Sequence, residues 1–219
     1  MALADNLMLR CEEAIVRAER LRDENDALKA RSRHLTEMHG CRVTRGLQIL
    51  AAMSHHRRAR LPASAQSFAD HMTAQLQTVA LVEQRVASGA EAIPIRDFVS
   101  DVCANLPGAA DPSIRLRLTA DSFLMPPEPC TTIGLIVAEL VINSYQHAFR
   151  ENRGGDIRVT LRRSSPERAW LNVSDTGPGL RSPFEKRAGL IMVEALAASL
   201  GGEVSYREGE GGVRVTFST

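Results

Sequence analysis

An excess of charge of one sign, paired cysteines and long apolar runs are all missing from this sequence, and each absence removes a class of protein. The 27 basic side chains nearly match the 26 acidic ones, for a net charge of +1 over 219 residues. No general electrostatic attraction therefore draws the chain to nucleic acid or to an anionic membrane. The four cysteines, Cys11, Cys41, Cys103 and Cys130, form no C-x-x-C pair. Neither a zinc knuckle nor a small disulfide framework is indicated, and a reducing cytoplasm is the expected compartment. The first residues lack a basic stretch followed by an apolar one, and the longest apolar run, Ile133 to Ile142, is short and interrupted by Glu139. Neither an export signal nor a membrane span is expected. With 44% hydrophobic and 24% charged residues, the chain can bury the core of one ordinary domain and a smaller one.

Proline is absent from Leu7 to Arg58, a stretch rich in Ala, Glu, Arg and Leu, which predicts one long helix. Within it Ala14, Leu21, Leu28 and Leu35 recur every seven residues, with Cys11, Ala18, Asn25 and Ser32 at the complementary seam three positions earlier. This is a short heptad array, and Asn25 at its seam suits a register-setting role in a parallel homodimer, the alternative being an amphipathic helix packed within one chain. After the basic stretch His55 to Arg60, the segment Leu61-Pro62-Ala63-Ser64 predicts a turn with Ser64 as helix cap. A second helix to about Ser88 carries the stripe Phe68, Met72, Leu76, Val79 and Val86, suited to antiparallel packing on the first. Two such hairpins would make a four-helix bundle.

Gly89 to Pro94 marks a linker, after which the pattern becomes mixed. Helices are expected over Ile95–Leu106, Thr131–Phe149 and Leu190–Leu200. Strands are expected over Ser113–Leu118, Asp156–Arg162, Ala169–Ser174, Glu203–Tyr206 and Val213–Phe217. The expected fold class is thus α+β: a helical hairpin followed by an α/β sandwich with helices on one face of a mixed sheet. The divisions fall at 1–36 (coiled coil), 37–92 (dimerising hairpin) and 93–219 (sandwich).

Three pieces of the sandwich make one constellation. Glu139 and Asn143 stand one turn apart on an otherwise apolar helix and share a face. A carboxylate and an amide so placed can orient groups around a hydrated Mg²⁺ and a triphosphate, although a plain solvent face is the bland alternative. Asp175-Thr-Gly177-Pro-Gly179 follows the apolar strand Trp170 to Val173. A carboxylate at a strand end can accept from an amino group such as adenine's, and glycines let backbone approach a ligand; an ordinary Gly/Pro turn is the alternative. Finally, Arg181 to Arg187 leads into Gly189-Leu190 and a helix, whose N-terminus offers N–H groups to phosphate. Lys186 and Arg187 can add charge-assisted bonds or form a solvated basic loop.

The order Glu-x-x-x-Asn, Asp-x-Gly-x-Gly, Gly-Leu before a helix, and Leu200-Gly201-Gly202 before a hairpin resembles the ATPase domain of the GHKL superfamily: histidine kinases, gyrase, Hsp90 and MutL. Ile133 to Asn143 and the following His147-Ala-Phe look most like HWE-type histidine kinases and their close relatives. The resemblance implies ATP and Mg²⁺ as ligands, with Asn143 on the ion, Glu139 lining the same site and Asp175 on the adenine amino group. Gly177, Gly179 and Gly189 would frame an ATP lid, and His147, Lys186, Arg187 and Leu190 would join the nucleotide contacts. Two positions depart from the family pattern: Ala138 stands where Asn is common, and Gln146 where Lys is common.

Upstream, the family's first hairpin helix carries His-Arg-Val-Lys-Asn and then Leu-Gln, with that His accepting phosphate. Here Cys41-Arg42-Val43-Thr44-Arg45-Gly46-Leu47-Gln48 puts Cys41 at the phosphoacceptor position. His39 lies two residues away, a helical rotation of about 200°, so it faces away from Cys41 unless Gly40 breaks the helix. His55 and His56 are expected as exposed residues of a helix end. Glu83 falls in the second helix's stripe where relatives often have His.

Three functions stay open at this point. The first is a cytoplasmic, dimeric histidine-kinase-like protein that takes its signal from an upstream sensor and passes phosphate to the receiver domain of a response regulator. The second is a degenerate kinase acting as scaffold or phosphotransfer regulator, favoured by Cys41, Ala138 and Gln146. The third is a serine kinase of the anti-sigma-factor type, which would not need the hairpin.

Overall fold

The computed structural model describes the chain except residues 1, 59, 150–153, 179–187 and 208–211; for 2–16, 18, 31–42, 63, 64 and 207 it describes the backbone alone. The proline-free segment forms a single helix, α1 (Ala2–Arg58), and after a turn α2 (Ala63–Ala87) packs back against its C-terminal part. Ser54 Oγ donates to the Ala69 carbonyl at 3.3 Å, and the Arg58 guanidinium grips the buried Asp70 carboxylate through two nitrogens at 2.5 and 3.0 Å. A paired, doubly bonded carboxylate is the form in which burial of such a charge is tolerated.

The cap and face of α2 differ from expectation. Pro62, not Ser64, occupies the N-cap position, since proline's fixed φ and missing N–H suit a helix start. Thr73, Ala74, Thr78, Ala80 and Val82 are buried, whereas Phe68 of the expected stripe is 68% exposed and Met72 is exposed too. Helix α2 lies between α1 and the sandwich, and small side chains let it approach both.

The sandwich opens with β1 (Ile93–Pro94) and α3 (Ile95–Asn105), continues through β2 (Ile114–Ala120), β3 (Leu124–Met125) and α4 (Pro127–His147), then β4 (Gly155–Ser165), β5 (Arg168–Asp175), α5 (Ala188–Ser199), β6 (Glu203–Arg207) and β7 (Gly212–Ser218). Five strands make one sheet in the order β2-β4-β5-β7-β6, with β2 and β4 parallel and the other pairs antiparallel. β1 and β3 form a separate two-residue antiparallel pair.

Alternation along the strands sets the layers. Ile157, Val159 and Leu161 of β4, Leu171 and Val173 of β5, and Val215 and Phe217 of β7 are buried beneath Ile133, Ile136, Val137, Val193 and Ala197 of α4 and α5. The intervening residues form a polar face, on which the Arg214 guanidinium lies 4.3 Å from the centre of the Trp170 ring. Helix α2 is joined to this body at one end by the Arg85–Asp101 ion pair, with the Arg85 guanidinium over the Phe98 ring. No helix among the described residues is long and apolar enough to cross a membrane.

Candidate functional site

Helix α4 is apolar enough to run through the core, yet it carries Glu139 with only 5% of its surface exposed. A buried carboxylate requires partners, and it has them. Asn143, one turn on, donates Nδ2 to Glu139 Oε1 at 3.3 Å, and His71 Nε2 from α2 approaches the same oxygen at 3.3 Å. The solvent-face alternative for Glu139 is thereby overturned. Bonding to Glu139 holds the His71 imidazole above its ordinary pKa, against the burial that would lower it. On the other side of its ring, His71 Nδ1 lies 2.8 Å from the Ser67 carbonyl oxygen.

Gly189, the second residue of α5, closes this corner. A Cβ there would stand 1.9 Å from Glu139 Oε1 and 3.2 Å from Asn143 Nδ2, so only glycine lets the start of α5 come so near. The first N–H groups of an α-helix have no intrahelical acceptor, and those of α5 therefore begin beside the Glu139–Asn143 pair.

Asp175 ends β5, at the same end of α4. Its Oδ2 accepts from Ser144 Oγ at 2.9 Å and its Oδ1 from the Gly177 N–H at 3.0 Å. Burial pushes the carboxyl above its ordinary range, and these two bonds oppose the shift without cancelling it. Gly177 meets the chain that follows α4: an added Cβ would fall 2.6 Å from Ala148 Cβ. Ser144 and Ala148 thus fix the Asp-x-Gly turn against α4.

Several sequence-derived candidates come together here: Glu139, Asn143, Asp175, Gly177 and Gly189 all border the C-terminal half of α4. His147 is the last residue of that helix and is half-buried. The Leu190 side chain is buried in the hydrophobic core, where helical rotation carries it past Gly189. Ala138 is also a core residue. Gly179, Lys186 and Arg187 lie outside the described residues, as do the side chains of His39 and Cys41. Cys103 and Cys130 are buried thiols whose pKa is pushed up to about 12 by desolvation, which leaves them unreactive.

Sequence reasoning missed three participants. Ser144 was detectable in principle, as a hydroxyl beside Asn143 on an apolar helix. Ser67 and His71 were not, because their partners are remote in sequence. Ser67 Oγ donates to Gln146 Oε1 at 2.7 Å, and Gln75 Nε2 lies 3.7 Å from Met192 Sδ on α5. Helix α2 therefore touches α4 and α5 around the Glu139 corner.

Comparison with known proteins agrees with this arrangement. The family model described as histidine kinase-, DNA gyrase B-, and HSP90-like ATPase matches residues 131–219. Blue-light-activated histidine kinase 2 of Erythrobacter litoralis (strain HTCC2594) is 30% identical over 109 residues, covering 48% of this chain and 32% of that protein. The chain thus spans about a third of the length of that curated relative. The histidine kinase domain from the Erythrobacter litoralis EL346 blue-light activated histidine kinase shares the fold, with a TM-score of 0.61 and 21% identity over 77% of this chain and 93% of that one. A longer structure of the EL346 kinase gives 0.59 and 22% over 78% of this chain and 59% of that one. The residues matched by the family model include Glu139, Asn143, Asp175, Gly177 and Gly189, and it is this segment of the chain that is similar to the histidine kinase-, DNA gyrase B-, and HSP90-like ATPases.

Proposed function

We propose that the chain binds Mg-ATP along the C-terminal half of α4 and serves histidine-to-aspartate phosphotransfer in a two-component system. In this reading 93–219 is the nucleotide domain and 37–92 a dimerising hairpin. An upstream sensor feeds it, and a receiver domain takes the phosphate. The observation that carries the reading is the convergence of Glu139, Asn143, Asp175, Gly177 and Gly189 on one stretch of helix.

Each residue has work suited to its surroundings. Asp175 keeps lone pairs beyond the two it uses for Ser144 and Gly177, enough to accept from an adenine amino group. Asn143 spends its Nδ2 on Glu139, which leaves Oδ1 as an oxygen donor of the kind Mg²⁺ prefers. The bound ion would neutralise charge on the terminal phosphates. The start of α5 supplies N–H groups for the phosphates.

Dimerisation is supported by an uncovered seam. Leu21 and Leu28 are 58% and 68% exposed, and Ile49, in the same heptad phase, is also exposed. Met53, in phase with Asn25, continues the complementary seam beside exposed Val43 and Leu50. A second copy laid along this stripe would bury it. The competing reading, a nucleotide-binding scaffold that transfers nothing, rests on Cys41 at the family's phosphoacceptor register. Titration with a fluorescent ATP analogue tests the shared part: saturable, Mg²⁺-dependent binding is expected, and the absence of binding would remove both readings.

A further inference from the structure

One face of the sheet takes no part in the nucleotide corner. Helices α4 and α5 cover the inner face, and the outward side chains of the strands make the other. Alternation places Arg115 and Arg117 of β2, Asp156, Arg158 and Arg162 of β4, and Arg214 of β7 on that outward face. At the far edge β6 adds Glu203, paired with Thr216 of β7. Guanidiniums thus outnumber carboxylates here, in a chain whose net charge is only +1. Such a local excess attracts a partner that the chain as a whole does not.

We propose that this face docks an acidic segment of a partner protein, held by Arg117, Arg158 and Arg214. The proposal stands apart from the ATP site, which lies on the other side of the sheet. Its carrying observation is a like-charged pair. Parallel pairing sets Arg117 of β2 directly across from Arg158 of β4, and like charges so placed destabilise a sheet. Arg158 is exposed and belongs to no ion pair among the described residues. One row along, Asp156 shows how such repulsion is relieved. Its Oδ1 accepts from Arg115 Nε at 3.0 Å and lies 3.6 Å from Arg117 Nε. One carboxylate serves both guanidiniums, and an incoming one beside Arg158 would do the same for the next pair. Arg162 is different, because it already bonds Asp121 at 2.7 Å.

Arg214 occupies a position that costs the fold hydrogen bonds. Its guanidinium lies over the Trp170 ring, 4.3 Å from the ring centre. Its Nε and the Oδ1 of Asn172, directly across from it on β5, are covered and have no hydrogen-bond partner among the described residues. Buried polar atoms are ordinarily paired, so this placement is not explained by the fold's own bonding. A guanidinium stacked on a ring keeps its edge for in-plane bonds, the geometry that a carboxylate matches two at a time.

Nucleic acid and membrane fit this face less well than protein carboxylates. Single strands are gripped by aromatic platforms on which bases stack, and Trp170, the single tryptophan, is already covered by Arg214. A bilayer surface is entered by large apolar side chains, and none of the exposed ones among the described residues lies on the outward face of these strands. Arg158→Glu separates docking from a structural task. It turns the like-charged pair into an opposite one, which favours the fold, while it repels an acidic partner.

The test titrates the full-length chain with a poly-glutamate peptide at low salt, followed by calorimetry and by the emission of Trp170. A single-stranded oligonucleotide and phosphatidylserine vesicles are titrated in parallel. Expected are saturable peptide binding that weakens as salt is added and a change in Trp170 emission as Arg214 is engaged. Arg158→Glu should bind the peptide at least about 10-fold more weakly and melt no lower than the wild type. Arg45→Glu, a charge reversal on the exposed surface of α1, should leave the affinity within about 2-fold, since a distant exposed charge is screened. No peptide binding, an unchanged Trp170 emission at saturation, or equal losses in Arg158→Glu and Arg45→Glu would overturn the assignment. So would tighter binding of the oligonucleotide or the vesicles than of the peptide. A lower melting temperature for Arg158→Glu would assign that residue to the fold and overturn it as well.

Discussion

The sandwich and the two helices before it use apolar side chains in opposite ways. In the sandwich the largest apolar residues, Phe98, Phe217, Ile133, Ile136 and Leu161, are wholly buried. In α1 and α2 the described buried residues are small, among them Ala51, Ala69, Ala74 and Ala80, while Leu21, Leu28, Ile49, Leu50, Met53 and Phe68 face outward. One region completes its core within a single chain; the other leaves its best hydrophobic surface for something else to cover. The hydrophobic effect is proportional to area removed from water, so the stability of the two regions should respond differently to mutation and to concentration.

The largest test of that contrast is truncation of aromatic residues. Phe217→Ala should cost about 3–5 kcal/mol in urea unfolding, since it removes transfer energy and leaves a cavity under α4 and α5. Phe68→Ala, at a residue already in water, should cost less than about 0.5 kcal/mol in dilute protein. Equal losses at all concentrations would erase the distinction. Next in size, Leu21→Asp with Leu28→Asp should weaken self-association by more than about 100-fold, because each leucine forfeits roughly 1.5–3 kcal/mol of burial. Sedimentation against concentration reads this directly. Association unchanged by the double substitution would mean that the seam is not the interface.

Much of the sandwich was legible in the sequence, because its strands alternate cleanly and its helices are long. The Glu139–Asn143 spacing places both groups on one face by helical geometry alone, and Asp175 follows an apolar strand. The two-residue strands β1 and β3 were too short to show a period. Helix α2 was legible only in part, because it has two apolar faces, one large and one small: Leu76, Val79 and Val86 of the expected stripe are half-buried, whereas Phe68 and Met72 face outward. Periodicity reveals both faces but cannot say which one a neighbour occupies, and the small face won because α1 and α4 both press close to it. His71 escaped for a different reason. Nothing local distinguishes a histidine aimed at a buried carboxylate from one aimed at water, and only the docking of α2 on α4 makes the difference.

A smaller effect separates the site from the framework that holds it. Gly189→Ala puts a methyl group where Glu139 Oε1 now stands. The carboxylate must move, or α5 must shift by about an ångström. Either change disturbs the groups around the phosphates, and a displacement of that size typically costs about 100-fold in a positioned reaction. Circular dichroism should be unchanged while transfer falls; unchanged transfer would place the reacting groups away from this corner.

The smallest expected effect has an unusual sign. Burial raises the Asp175 pKa in the folded protein, so the folded state favours the protonated carboxyl. The stability this contributes is fully present below the ordinary carboxylate value and is lost as pH rises through the raised one. At neutral pH the fold therefore carries a partly buried charge whose bonds to Ser144 and Gly177 do not fully offset its desolvation. Asp175→Asn keeps an acceptor for the Gly177 N–H and offers Ser144 a donor, yet removes the charge. Its Tm at pH 7 should rise by about 2–4 °C, the change expected for roughly 1 kcal/mol in a chain of this size. The difference should shrink as pH falls toward the ordinary carboxylate range. Adenine nucleotide affinity should drop by about 10- to 100-fold, the cost of losing a hydrogen bond to a charged group. A variant more stable and less able to bind would mark Asp175 as a residue kept for its ligand at the expense of the fold; a fall in Tm at pH 7 would show that its two hydrogen bonds are worth more than its burial costs.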